Sequence, residues 1–145
     1  MPTTPHSEMQ AQLAFARAAR ARRRASLLCR LRRGSGSCGA LPVYAAQPRP
    51  SGSDVAGAVR PIPLDAISGT VEPNRTAQFD RDLRPATSVR TRWERVWLAE
   101  DGGTVLPPIS VVHVGGSYAI RDGHHRVSVA KARGALTIDA FVDAA

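Results

Sequence analysis

Ser117-Tyr118-Ala119-Ile120-Arg121-Asp122-Gly123-His124-His125-Arg126-Val127-Ser128-Val129-Ala130-Lys131-Ala132-Arg133-Gly134 is the stretch whose reading decides the fold of this chain. Its first five residues alternate with the period of two expected of a strand. Val127 to Arg133 reads as a short helix, with Gly134 as a left-handed cap at its end. Asp122-Gly123-His124-His125-Arg126 therefore falls where a strand stops and a helix starts. The first amides of such a helix lack intrahelical acceptors and carry partial positive charge. Asp122 is placed to cap that helix, and Gly123 lets the backbone approach a ligand. Two imidazoles and a guanidinium supply further donors. The pattern fits an anion or phosphate site.

Working outward, Leu106-Pro107-Pro108 feeds a strand from Ile109 to Val114, and Gly115-Gly116 is a tight-hairpin signal. The two strands should pair antiparallel. Thr137 to Val142 reads as a last strand. Upstream, Val89, Trp93, Val96 and Trp97 recur at helical spacing and put two indoles on one apolar stripe, which points to core packing. Asp101-Gly102-Gly103 ends that helix. Gly69 to Pro85 is rich in turn formers and charges and reads as a long loop. Before it, Ile62, Leu64 and Ile67 are candidates for the core, and Pro63 confines any strand there to an edge or a strand start. The order strand, loop, helix, hairpin, helix, strand makes residues 60–145 a small α+β domain, a mixed sheet with a hairpin and flanking helices.

Two further segments precede it: a basic helical arm over 1–33 and a Gly/Pro/Ser-rich flexible linker over 34–59. The chain carries a formal charge of +8, and the arm holds eight arginines (17, 20, 22, 23, 24, 30, 32 and 33) against the single acid Glu8. Nearly all the charge thus lies in the first quarter. Such an arm favours polyanions, nucleic acid or an anionic membrane surface, and Arg17, Arg20, Arg22, Arg23, Arg24, Arg30, Arg32 and Arg33 are the candidate DNA-binding residues. Met9, Leu13 and Ala16 form one apolar stripe on it, and Leu27, Leu28 and Leu31 another. A helix of this kind is marginal in water and orders against a partner or the domain. Cys29 and Cys38 fit no zinc spacing and suggest no disulfide framework. No apolar run approaches the ~18 residues of a membrane span, and arginines interrupt any signal-peptide core. The expected location is cytoplasmic.

The run from Pro107 through the Asp-Gly-His-His-Arg segment to Gly134, with Tyr118, Ile120 and Ala130 within it, resembles the core of the ParB/sulfiredoxin superfamily. It looks closest to short ParB-like nuclease-domain proteins carrying this motif. Ile62 to Ile67 is similar to the family's opening strand, and Arg92-Trp93-Glu94-Arg95-Val96 to the helix before its hairpin. The resemblance covers residues 60 to 143. It implies a phosphate-binding element in this loop and helix start, with Gly123 and Arg126 at the matching positions; on the residues themselves, His124 and His125 add donors, and Arg75 or Arg81 would cover the phosphates from the other side. The implied ligand is a nucleotide, CTP or ATP, with Mg2+, and the implied role is partition-like or regulatory. His124 stands where sulfiredoxins carry their reactive cysteine, so their sulfinic-acid reductase chemistry has no nucleophile here. The chain shows no helix-turn-helix region after the last strand, so DNA would be held through the arm, with strong salt dependence.

Two other classes stay open at this point. A small-molecule kinase or phosphotransferase would use Asp122 and His125 as catalytic residues. A non-catalytic interaction module would use the arm to recruit a protein. No dedicated metal site is expected, since adjacent histidines at a helix start point apart.

Overall fold

The computed structural model describes residues 3–33, 39–45 and 58–143. A single long helix, α1 (Pro5–Arg33), comes first. Then follow β1 (Val59–Pro63), a 3-10 turn at Leu64–Ala66, and β2 (Ile67–Thr70). Two more 3-10 turns, Pro73–Arg75 and Thr87–Val89, flank the loop that leads to α2 (Arg90–Asp101). The hairpin β3 (Ile109–Val114) and β4 (Ser117–Asp122), α3 (His124–Ala132) and β5 (Thr137–Asp143) complete the order.

The sheet has five strands in the order β1-β5-β3-β4-β2. β1 pairs antiparallel with β5, and β5 parallel with β3. The hairpin pairs antiparallel, and β4 takes β2 in parallel. Pro61 and Pro63 sit on the edge strand β1, the position a residue without an amide hydrogen tolerates. This is the α+β architecture expected, with one strand more. Ile67–Thr70 pairs with β4, where the sequence suggested the start of a loop. Ser68-Gly69 reads locally as a turn, yet Gly69 is there for packing: a Cβ would lie 2.4 Å from the Pro42 carbonyl oxygen and 2.6 Å from the Tyr44 ring.

One core joins sheet and helices. Ile62, Leu64, Ile67, Ile109, Val111 and Ile120 meet Phe79, Leu83, Trp93, Val127 and Val129 in it. Trp93 is fully buried, stacks on Trp97 at 5.6 Å and donates Nε1–H to Ser128 Oγ at 2.8 Å, tying α2 to α3. The indoles are therefore core residues, as their spacing indicated.

α1 is docked, and by a different stripe from those read in the sequence. Ala11, Phe15 and Ala19 are buried, with the Phe15 ring edge-on to Trp93 at 5.5 Å. Met9, Leu13, Leu27, Leu28 and Leu31 are exposed instead. Alanines at i and i+8 around Phe15 allow close helix approach, which larger side chains would prevent. The segment 39–45, inside the stretch read as linker, lies along β2. Val43 bridges Thr70, Tyr44 donates its amide to the Thr70 carbonyl, and Leu41 is buried in the core. Cys29 is disulfide-bonded, where the sequence suggested no disulfide framework.

Candidate functional site

The strand-to-helix corner is built around Gly123. Its φ of +107° is open to glycine at little cost, and a Cβ there would stand 2.5 Å from Ile109 Cγ2. Gly123 also takes the N-cap position of α3, and no side chain caps that helix. Asp122, expected to cap it, is 73% exposed and pairs with Arg126 at 3.0 Å. Arg126 in turn donates to the carbonyls of Pro107 and Pro108, so its guanidinium clamps the chain entering β3 to the start of α3. The glycine serves a tight turn against the sheet, and the guanidinium is engaged with backbone and Asp122.

The two histidines point to different places. His124 is buried with its Nε2 2.7 Å from Thr70 Oγ1. That hydroxyl donates to the Ile120 carbonyl and accepts the Glu72 amide, so the imidazole is the donor in the shared bond. Nδ1 is then the unprotonated nitrogen, buried and without a partner. The ring stacks on Phe79 at 6.1 Å. Burial, with Arg75 and His125 nearby, lowers its pKa to about 3. His124 is thus a neutral core group, away from any opening. A histidine in the first turn of a helix carries no sequence mark of which way it faces.

His125 faces a cavity of about 640 Å³ between the Pro73–Arg75 turn, the start of α2 and α3. Arg75, Arg92, Arg95, Gln78, Ser88 and Thr91 line it with His125, and no acid does. Arg75 is steadied by Gln78, whose Oε1 accepts from Nη1 at 2.8 Å. Arg92 and Arg95 have no ion-pair partner among the described residues. His125 Nε2 is buried without a hydrogen-bond partner, and the ring meets Phe79 edge-on at 5.2 Å. Burial first, then Arg92 and Arg75, lower its pKa to about 4. Of the residues singled out for phosphate in the sequence, Arg75 and His125 are brought together here. His124, Gly123 and Arg126 are not among the lining residues, and neither is Asp122. Arg92, Arg95, Ser88 and Thr91 also line the cavity and were not singled out in the sequence. Arg92 and Arg95 flank Trp93 in the sequence, and their shared outward side of α2 was the available signal.

The donor set suits phosphate oxygens: three guanidiniums, two hydroxyls and a buried ring nitrogen lacking a partner. It offers no carboxylate. Among the described residues there is no group of three or more potential metal ligands. No helix of the described residues is long and apolar enough to cross a membrane. The arm's candidate residues are spread around α1. Arg17, Arg20, Arg23, Arg24, Arg30 and Arg32 are exposed, whereas Arg22 is half-buried. The side chain of Arg33 lies outside the described residues.

Among solved structures, the chain is similar to sulfiredoxin from Arabidopsis thaliana. The TM-score is 0.45 and the identity 21%, over 61% of this chain and 86% of that one. No family model and no curated protein matches the chain.

Proposed function

We propose that this domain binds a phosphate-bearing ligand, a nucleotide such as CTP or ATP, in the cavity beneath α2. One observation carries the reading: Arg75, Arg92 and Arg95 surround the unpartnered Nε2 of His125 with no acid among them. Three cations gathered without a counter-charge repel one another, and an anionic ligand relieves that repulsion. Ser88 and Thr91, at the start of α2, add neutral donors for the remaining phosphate oxygens.

The cavity favours binding over phosphoryl transfer. A kinase needs a base beside the acceptor hydroxyl, and Asp122 is ion-paired outside the lining. His125, neutral in the ordinary pH range, would hold a phosphate oxygen by donating a hydrogen bond. A partition-like or regulatory role follows from such a ligand only if binding changes what the domain contacts.

Calorimetry of the full chain with CTP, ATP, ADP and GTP, with and without magnesium, tests the reading. Arg92→Ala or Arg75→Ala should weaken the preferred nucleotide by about 10- to 100-fold, the loss of one charge-assisted bond set. Unchanged affinity in both variants, or no binding of any nucleotide or inorganic phosphate, would remove the cavity as a phosphate site.

A further inference from the structure

The outward side of α1 presents chemistry that the cavity does not use. Ala11, Phe15 and Ala19 turn one side of the helix to the domain. With 3.6 residues per turn, Arg17, Arg20 and Arg24 run along the opposite side and Arg23 lies on its flank, all exposed. The same side carries Leu13 before this row and Leu27 and Leu31 after it, at 61%, 59% and 75% exposure. Met9 and Leu28 extend the apolar surface at either end. Glu8, the one acid of α1, lies about 120° round the helix from Arg20. The outward face is therefore a row of cations between two apolar ends, without a counter-charge. Among the described residues none of the four arginines has an ion-pair partner.

We propose that this face docks on an anionic phospholipid surface, with α1 lying flat along it. The arginines would meet lipid phosphates, and the leucines at both ends would enter the boundary between headgroups and acyl chains. Charge complementarity alone would also admit DNA, but a phosphate backbone leaves the leucines facing charge and water. A bilayer interface accommodates both, because arginine stems lie along apolar surface while their heads stay with the phosphates. A second copy of the chain would set arginines against arginines. At 29 residues, α1 provides about 43 Å of length for such a contact. The docked side keeps the helix on the domain throughout, since Phe15 and the outward leucines point in opposite directions.

Co-sedimentation of the full chain with vesicles tests this, using 30% phosphatidylglycerol in phosphatidylcholine against pure phosphatidylcholine. Binding should require the anionic lipid. Each arginine removed should lower partitioning about fivefold, so Arg20→Ala with Arg24→Ala should lose about 25-fold. Leu27→Ser with Leu31→Ser should lose about tenfold. All four positions are exposed, so the variants should melt with the parent protein. No binding to anionic vesicles overturns the proposal. So does unchanged partitioning of the leucine variant, which would leave the arginines alone at work. A 20-base-pair duplex that outcompetes the vesicles equally well for parent and leucine variant would overturn it in favour of DNA.

Discussion

At His124 and Thr70 a single hydroxyl organises three groups, the His124 ring, the Glu72 amide and the Ile120 carbonyl. Thr70→Val keeps the shape but strands a buried ring N–H and a backbone N–H, which should cost about 2–4 kcal/mol in urea unfolding. Thr70→Ser, which retains the hydroxyl, should recover most of that. A valine variant as stable as the parent would show that the network contributes nothing. Both histidines also link stability to pH. Their folded pKa values, about 3 and about 4, lie below the value near 6.5 of the unfolded chain. The unfolded state takes up protons first, so the stabilisation is complete above about pH 6.5. It is lost as pH falls from there through the folded values. The total is about 5 kcal/mol for His124 and about 3 kcal/mol for His125. Replacing His125 by Gln should flatten the slope of unfolding free energy between pH 6.5 and 4 by about one proton. An unaltered slope would mean that His125 titrates alike in both states.

Among the elements, those with local signatures were legible in the sequence. Gly115-Gly116 gave the hairpin, and the recurrence of Trp93 and Trp97 gave α2 and its buried side. β2 was not legible, because a four-residue strand containing Ser68-Gly69 earns its state from its neighbours β4 and Tyr44. The docked side of α1 was not legible for a related reason. Leucine count points to Leu27 and Leu31, whereas the helix packs through Phe15 between two alanines. Of the candidate site, the sequence named Arg75 and His125, which line one cavity, but which way His124 and Arg126 turn is set by Thr70 and by the Pro107 and Pro108 carbonyls. Phe15→Ala should cost about 3–5 kcal/mol and release the helix. Hydrogen exchange would report it as loss of protection in residues 8–20, with β3 and β4 still protected. Full protection of α1 in the variant would assign its docking to other contacts.

On the scale of the whole molecule, the sheet order places β5 between β1 and β3, so the last strand completes what the first and third leave open. No local pattern encodes such pairing, which rests on contacts far apart in sequence. The same is true of the core's outer members. Phe15 and Ala19 from α1 and Leu41 from the segment along β2 belong to the cluster that holds Trp93 and Ile120. A chain beginning at residue 58 would retain every strand yet lose all three of these side chains. It would also expose the Trp93 ring face against which Phe15 sits. Losing a buried Phe and a buried Leu costs about 5–9 kcal/mol together, comparable with the whole stability of a small domain. Residues 58–145 alone should therefore show poor amide dispersion and no cooperative melt. The full chain should show both a dispersed spectrum and a single transition. A truncated chain that melts cooperatively within a few degrees of the full one would make α1 an appendage, and the domain would then end where its sheet does.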